Sequence, residues 1–433
     1  MPVPGHDPRA ARLLLLAAAV PPAALALLVY FWGVDLPYWD QWALVPLLEK
    51  DAAGNLGLGD LWRPHNEHRL FFPRLAMIAM ARLSGWNIRW ELAANVLLAA
   101  ATFAVAIRMY RRHDPRRALP LSMFASLLIF NPSQWENWSW GWGMQIFLNT
   151  AAVLAGLGLL AYGRRGTAQL AAAAALGLVA TFSFATGLFF WLVAYPLVLL
   201  DRQGRRARAV IWTAVTLAVW GLYFYRFDAA AGSPLDLDLE TLKLYGGYVS
   251  LYVGAPIFFF NGYLALYGGF LALVAFAACG LLVLRRAVWR PALPWICVSL
   301  YAIASALLTG AGRLDFGLLQ ALSSRYVTIS SLFWLGFAGL LVTLPWRAPR
   351  WAPGLALAMA VLCLVLSARH GALGFRAQWQ LKRELREALR AGEPADFTVL
   401  MPKPRLLQQR LEVLRRLRLS VFRDAEVPAA EPG

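Results

Sequence analysis

Apolar runs long enough to cross a lipid bilayer recur throughout the chain, and they constrain its fold more than any other feature. A helix needs about 20 apolar residues to cross the hydrocarbon core, and residues 12–34, 90–108, 143–162 and 326–344 each provide such a run. Of the 433 residues, 60% are hydrophobic and 15% are charged, which is too little charge to cover a soluble protein of this size. The sequence therefore predicts an all-α, polytopic membrane protein.

The formal net charge of +17 comes largely from short basic segments between the apolar runs. They read RMYRRHDPRR, GRRG, DRQGRRARA, LRRAVWR and PWRAPRW. Loops rich in Lys and Arg mark the cytoplasmic side of a membrane protein. The charge is therefore interpreted as an orientation signal, which excludes nucleic acid as the partner that explains it.

Threading the chain with every basic segment on the cytoplasmic side predicts eleven spans, a cytoplasmic N-terminus and a periplasmic C-terminus. The first apolar run is too long for a signal peptide, so it is interpreted as a retained span. Residues 246–284 are long enough for two spans, but one span at 263–284, preceded by an interfacial or re-entrant segment, keeps the later basic loops inside. The predicted spans are residues 12–34, 90–108, 118–131, 143–162, two within 167–200, 209–226, 263–284, 292–309, 326–344 and 352–368.

This threading divides the chain into a transmembrane domain and a C-terminal segment of different character. Residues 1–368 form the transmembrane domain, and residues 35–89 are its large first periplasmic loop. Residues 369–433 carry two amphipathic helical patterns, with the stripes Leu381, Leu385, Leu389 and Leu407, Leu411, Leu414. They predict a small helical cap on the outer membrane surface.

Polar side chains gather in four predicted periplasmic segments: DLPYWDQW, RPHNEHRLFFPRL, QWENWSWGWGMQ and GAGRLDFGLLQALSSRY. Ionisable groups near hydrocarbon are costly and usually face a cavity or one another, so a functional site is the default hypothesis. The alternative is solvated headgroup contact, which better explains the Trp residues Trp138, Trp140 and Trp142 as interface anchors. The catalytic candidates are Asp40, Asp35, Glu67 and His68, and the substrate-binding candidates are Asn66, Arg69, Arg74, Glu136, Gln145, Arg313, Arg325 and Tyr326.

One chemistry open to these groups is metal binding. His65 and His68 share a face if their segment is helical, and Asp40 and Glu67 would then complete a ligand shell. Pro64 instead suggests a turn.

The other chemistry is acid–base catalysis. A carboxylate such as Asp40 accepts a proton from an incoming nucleophile, while His and Arg neutralise a departing anion. Asp40 stands among Tyr38, Trp39 and Trp42, aromatic side chains suited to stacking on a sugar ring.

Arg313 and Arg325 lie on the predicted outer side, against the positive-inside trend. A guanidinium at an outer membrane boundary is well placed to hold a lipid phosphate. The phosphate is either that of a substrate or that of an ordinary phospholipid anchoring the span.

The layout resembles that of the GT-C superfamily of integral-membrane glycosyltransferases, and the motifs YWDQW, NEHRLFFPRL, QWENWSWGWG and QALSSRYVTISSLFW resemble those of a largely uncharacterised bacterial branch. The resemblance implies a polyprenyl-phosphate-linked sugar donor, a glycan or lipid acceptor, and Asp40 or Asp35 as the catalytic base. His68, Arg69 and Arg325 would then stabilise the phosphate leaving group, with inversion at the anomeric carbon. No cofactor is expected; a divalent metal stays open as an alternative but is not indicated, because no Asp-x-Asp metal motif stands in the first loop. The pair Asp236 and Asp238 occurs only later.

A transporter or flippase for a lipid-linked glycan is the main alternative, and a noncatalytic assembly subunit is another. Transporters place polar residues and broken helices near the bilayer midplane. Here the predicted spans are nearly free of charge at mid-height, and the polar residues gather at one face. That distribution favours an enzyme of the bacterial inner membrane whose site opens at the periplasmic surface.

Overall fold

The computed structural model describes residues 8–201, 204–227, 238–344 and 352–424, and it is 83% helical without a strand among these residues. The predicted all-α class is therefore confirmed. The α-helices of the described residues are α1 (Pro8–Trp32), α2 (Val45–Ala52), α3 (Leu58–Trp62), α4 (Phe71–Ser84), α5 (Ile88–His113), α6 (Ala118–Ile129), α7 (Trp135–Ser139), α8 (Met144–Tyr162), α9 (Thr167–Thr181), α10 (Phe190–Val198), α11 (Arg205–Phe224), α12 (Leu239–Phe258), α13 (Gly262–Arg285), α14 (Trp289–Arg313), α15 (Val327–Thr343), α16 (Ala352–Ala391) and α17 (Pro404–Leu417).

Among the described residues, seven helical segments are long and apolar enough to cross a membrane, which supports a multi-pass membrane protein. Each overlaps one predicted span. The other four predicted spans fall on α1, α6, α9 and α10, whose described apolar parts are shorter, so the count of eleven stays a prediction. The seven segments are Ile88–His113, Gly141–Tyr162, Arg205–Phe224, Gly262–Arg285, Trp289–Phe316, Ser324–Thr343 and Gly354–Ala391.

The region that allowed two threadings folds as a tight hairpin of α12 and α13. Glycines permit the close approach: a Cβ at Gly254 would overlap the carbonyl oxygen of Ala265, and one at Gly269 would overlap that of Ser250. Helix α13 is one of the seven candidate spans and α12 is not, which agrees with the prediction of one span here. Asp238 caps α12 by accepting a hydrogen bond from the backbone N–H of Thr241 at 2.7 Å, whereas Asp236 lies outside the described residues.

The described parts of the first four basic segments meet at one end of the helical bundle, and the fifth, residues 345–351, lies outside the described residues. Arg112, Tyr162, Arg165 and Arg290 line a common cleft there, and the His113 Nε2 lies 3.0 Å from the Thr343 hydroxyl. Residues 35–89, 131–143 and 314–326 lie together at the other end, which we call the site end. This is the relative arrangement that the positive-inside threading requires.

The first loop is a folded layer of helices rather than an open loop. Its apolar side chains Leu48, Leu61, Met77 and Trp86 are buried in the main core. The three helices α2–α4 and the start of α5 are therefore packed together, so polar side chains on this layer can be held in fixed positions.

The C-terminal segment covers this layer. Helix α16 has 40 residues, or about 60 Å, twice the thickness of a bilayer core, and it continues unbroken through the predicted boundary at residue 368. The tail then docks on the first loop, because the backbone N–H of Trp39 donates to Leu400 O and that of Ser420 donates to Gly85 O, both at 2.9 Å. Leu407, Leu411 and Leu414 are buried, as their stripe predicts.

Candidate functional site: a carboxylate–histidine cluster beside an aromatic cleft

Residues 65–68 form a tight turn that sets the geometry of the site. Two reciprocal backbone hydrogen bonds join His65 and His68, at 2.7 and 2.9 Å, and Asn66 has a φ of +50°, a left-handed conformation that Asn tolerates better than most residues. His65 and His68 therefore do not share a helical face. The described residues contain no group of three or more His, Cys, Asp or Glu side chains placed to hold a metal ion, so the geometry gives the metal hypothesis no support.

Asp40 faces this turn from the short 3₁₀ helix Trp39–Leu44. Its Oδ1 lies 3.6 Å from His65 Nε2, and its side chain stays 41% exposed. Burial raises the pKa of the Asp40 carboxyl, but the His65 ring and the charge of Arg325 outweigh that effect and leave the pKa below its ordinary value. Asp40 is therefore an ionised, accessible carboxylate at neutral pH.

Glu67 and His68 form the other half of the cluster, together with Arg313 from the end of α14. Glu67 Oε1 accepts a hydrogen bond from Arg313 at 2.8 Å and lies 3.6 Å from His68 Nε2. Burial raises the pKa of Glu67, but the neighbouring His68 and Arg313 leave it lowered overall. We call Asp40, His65, Glu67, His68 and Arg313 the carboxylate–histidine cluster.

The protonation state of His68 follows from its contacts. Its Nδ1 accepts a hydrogen bond from the backbone N–H of Ala185 at 3.2 Å, and its ring stacks on Phe184 with centroids 4.2 Å apart. Burial lowers the pKa of His68 to about 4, although the charge of Glu67 opposes that shift. His68 is therefore neutral at pH 7 and carries its ring proton on Nε2, which faces Glu67.

Arg325 lies between this cluster and a neighbouring cleft. Its backbone N–H and the Ser324 hydroxyl both donate to Glu136 Oε2, at 3.0 and 2.8 Å, so Glu136 anchors the start of α15. The Arg325 guanidinium lies 5.3 Å from the Tyr326 ring centroid. Within the described ranges it forms no ion pair with a carboxylate, yet it is close enough for its charge to act on Asp40. It is available to an added anion.

The cleft beside Arg325 has mainly aromatic walls. It encloses about 390 Å³ of space that includes its opening to solvent. Trp39 stands 48% exposed at this cleft. We call this the aromatic cleft, and its lining residues are Tyr38, Trp39, Trp135, Glu136, Ser139, Trp140, Arg325 and Gln378.

Asp35, the other candidate base, does not face the cluster. Its Oδ1 accepts hydrogen bonds from the Ile88 backbone N–H at 2.9 Å and from the Ser420 hydroxyl at 3.2 Å, and its Oδ2 lies 3.3 Å from Arg423. The side chain is 5% exposed, and burial raises its pKa. Asp35 therefore caps α5 and holds the C-terminal tail, so of the two candidate bases only Asp40 is accessible.

Arg69 and Arg74 also serve the fold. The guanidinium of Arg69, whose side chain is 2% exposed, donates to three backbone carbonyls, those of Trp62, Tyr223 and Tyr225. Arg74 donates to the carbonyls of residues 61 and 63. These contacts give both side chains a part in the fold, while the Arg74 Nε has no hydrogen-bond partner among the described residues; their predicted contact with a substrate stays a prediction.

The remaining candidates are divided between surface and core. Asn66 is exposed at the tip of the turn. Tyr326 is buried and stacks on Tyr252 with ring centroids 5.7 Å apart. Gln145 is buried in the first turn of α8, where its Oε1 has no hydrogen-bond partner among the described residues, and Trp42 is fully buried rather than available for stacking. Of these four, only Asn66 is accessible to a substrate.

Two residues of α16 that the sequence analysis did not select border the aromatic cleft. Gln378 lines it, and the Lys382 ammonium, in a side chain that is 2% exposed, donates to Ser139 O at 2.6 Å and lies 4.5 Å from the Tyr38 ring centroid. Helical spacing could have identified both residues, because residues 378, 382, 385 and 389 form the buried stripe of α16. The predicted stripe contained Leu385 and Leu389 but began at Leu381, one position before Lys382.

Glu91 is a further buried carboxylate that sequence reasoning missed. Its oxygens accept hydrogen bonds from Gln41 Nε2 at 2.5 Å and from Trp86 Nε1 at 2.9 Å. A Cβ at Gly141 would overlap this carboxylate. Glu91 thus ties α5 to the segments that carry Asp40 and the aromatic cleft.

No protein-family model matches the chain, and comparisons with curated proteins and with solved structures found no similar protein.

Proposed function

We propose that this protein is a membrane glycosyltransferase that moves a sugar from a polyprenyl-phosphate donor to a hydroxyl of a glycan or lipid acceptor. The observation that carries the proposal is the position of Asp40, an ionised and accessible carboxylate beside the 65–68 turn. The Arg325 guanidinium, which forms no ion pair with a carboxylate among the described residues, is close enough for its charge to act on Asp40. A base whose carboxylate lies within the electrostatic reach of an anion-binding group is what such a transfer needs.

In the proposed reaction the acceptor hydroxyl oxygen attacks the anomeric carbon of the donor sugar as its proton passes to Asp40. The bond between that carbon and the phosphate oxygen breaks, and the polyprenyl phosphate leaves with the electron pair. Attack from the face opposite the leaving group inverts the anomeric configuration, by analogy with single-displacement glycoside chemistry. No metal or cofactor is required for the balance of this step.

The cations of the site would receive the departing phosphate. Arg325 offers a planar fork of donors suited to two phosphate oxygens. Arg313 already donates one hydrogen bond to Glu67 and has other donors left. The neutral His68 can donate from its Nε2–H. A phosphate that approaches this group would compete with Glu67 for Arg313.

The distribution of ionisable groups favours this function over a lipid-linked glycan transporter. The accessible carboxylates of the cluster and the free guanidinium lie at the site end, whereas a transporter gathers its polar groups near the middle of the spans. The proposed orientation puts the site end in the periplasm of a bacterial inner membrane, because the basic loops share the opposite end. Topology reporters at Leu58 and Gly204 test this, and a cytoplasmic signal at Leu58 would refute it.

The decisive experiment is transfer by the purified protein from radiolabelled polyprenyl-phosphate sugars to lipid or glycan acceptors. Asp40→Asn is expected to lower the rate by about 10²–10⁴, as loss of a general base does, without altering thermal stability. Asp51→Asn is the matched control, because Asp51 pairs with Arg82 on the same layer, outside the cluster. Full activity of folded Asp40→Asn protein would remove Asp40 from the role of base.

A further inference from the structure

The aromatic cleft has the lining of a small-molecule site, and it opens to solvent. Three indole rings and one phenol form its walls, and Glu136, Ser139, Arg325 and Gln378 supply the polar groups. Apolar walls with a few fixed polar groups suit a ligand that has flat C–H faces and a rim of hydroxyls.

Some polar atoms that line the cleft have hydrogen-bonding positions that the described part of the chain does not use. Glu136 uses Oε2 to anchor Ser324 and Arg325, while its Oε1 accepts no hydrogen bond from the described part of the chain. A carboxylate oxygen held in this way is a strong acceptor for a ligand hydroxyl, because charge-assisted hydrogen bonds are stronger than neutral ones. The Gln378 amide, on the wall contributed by α16, hydrogen-bonds to the Tyr38 hydroxyl and carries further donor and acceptor positions.

The cleft is held open by contacts behind its walls. Trp140 Nε1 donates to Tyr38 O at 2.7 Å, and Lys382 binds Ser139 O while lying against the Tyr38 ring. Gly374 of α16 leaves room for the Trp135 indole, which a Cβ there would overlap. The shape of the cleft therefore depends on the C-terminal helix as well as on the loops.

We propose that the aromatic cleft binds one pyranose ring, stacked on Trp39 and hydrogen-bonded through its hydroxyls to Glu136 Oε1 and Gln378. Lys382 acts as a positioning residue that fixes the wall formed by Tyr38 and Ser139. The assignment rests on the proposed function in taking the ring to be the sugar of a transferase substrate. Arg325 lies between this cleft and Asp40, so the ring belongs either to the lipid-phosphate donor or to the acceptor.

The test measures sugar binding without turnover. The full chain is placed in lipid nanodiscs free of glycosidic detergent, and the methyl pyranosides of glucose, galactose and mannose are titrated while saturation-transfer NMR is recorded. Wild-type protein is expected to bind at least one of them, and Trp39→Ala and Gln378→Ala are expected to weaken that binding about tenfold. Trp90→Ala is the matched control, since Trp90 is 49% exposed on α5 and lies outside the cleft.

Two further comparisons identify the source of the ring and the role of Lys382. If the ring belongs to the donor, glucose 1-phosphate binds more tightly than the methyl glucoside and Arg325→Ala removes the gain; if it belongs to the acceptor, the two bind alike. Lys382→Met is expected to weaken glycoside binding, whereas Arg383→Met, a change of the same kind at an exposed position of α16, leaves it intact.

The inference fails if no pyranoside binds, or if Trp39→Ala and Trp90→Ala bind alike. That failure is distinct from failure of the proposed function, because glycoside binding is measured without turnover, whereas the transferase is tested by the transfer rate of the wild-type and Asp40→Asn proteins. A protein that binds glycosides through Trp39 but transfers no sugar would retain the cleft assignment and refute the transferase.

Discussion

Arg69 provides a sharp test of its structural role, because the family resemblance implies that it binds a phosphate, whereas in the structure it donates to three backbone carbonyls. Its guanidinium donates to Tyr223 O at 2.5 Å, to Trp62 O at 2.9 Å and to Tyr225 O. It also lies against the Trp62 and Phe227 rings, with its carbon 5.2 and 5.6 Å from their centroids. The side chain thus joins the first loop to the end of α11.

The magnitude follows from these contacts. Hydrogen bonds to a charged group contribute about 1.5–3 kcal/mol each, and Arg69→Met removes three while keeping much of the apolar stem. Because the contributions of neighbouring hydrogen bonds are not additive and the surrounding chain relaxes, we expect a net loss of about 3–5 kcal/mol of stability. The loss should also loosen the 65–68 turn, since the Tyr223 hydroxyl donates to Glu67 O at 2.7 Å.

The assay is thermal unfolding of the detergent-solubilised protein, followed by size-exclusion chromatography of heated samples. Arg82→Met is the control, because Arg82 is 66% exposed and its ion pair with Asp51 lies at the surface, where such pairs contribute about 0–1 kcal/mol. Wild-type thermal stability of Arg69→Met together with weakened binding of a polyprenyl-phosphate sugar would refute the structural reading and restore the phosphate role.

Two other predictions test the packing and the protonation of the site. Gly141→Ala should cost about 1–3 kcal/mol of stability through overlap with Glu91, whereas Gly221→Ala, in α11 with nothing within 4 Å of the added methyl, should be neutral or stabilising in the same thermal assay. The pKa of His68 falls from 6.5 to about 4 on folding, so between these values the unfolded chain binds more protons and stability should decrease, by up to about 3 kcal/mol, as pH is lowered from 6.5 to 4. His68→Gln should flatten that dependence and His370→Gln, at an exposed position, should not; equal slopes in wild type and His68→Gln would contradict the assignment of a neutral, buried His68.

The helical class and the position of most candidate spans could be predicted because the physical signal is local. A run such as 143–162 or 326–344 is apolar along its whole length, and the bilayer core sets the length of helix required. The shorter helices α6, α9 and α10 carry no such signal by themselves. Whether each of these helices crosses the membrane depends on how neighbouring helices cover it, and no local sequence pattern encodes that.

The aromatic residues of the site could not be assigned from the sequence, because Trp occurs both as an anchor at the membrane interface and as a core residue. Trp138 and Trp142 were predicted to be interface anchors, yet they are 0% and 1% exposed and pack beneath the site. Trp39 and Trp42 are three residues apart in one motif, and only Trp39 is accessible. Their difference arises from tertiary contacts such as the hydrogen bond between the Trp39 N–H and Leu400 O.

What separates structural from functional polar residues at the site end is the number of bonding positions that each leaves unused. Asp35 and Arg69 satisfy their charged groups with backbone amides, carbonyls and the C-terminal tail. Asp40 and Arg325 have charges that the described chain only partly compensates. Because a buried charge is costly unless it is paired, the first pair needs no ligand, while the second gains from one. Fully bonded and partly bonded residues alternate within a few positions of each other, so neither motif nor spacing could have distinguished them. The fully bonded residues hold the partly bonded ones in place.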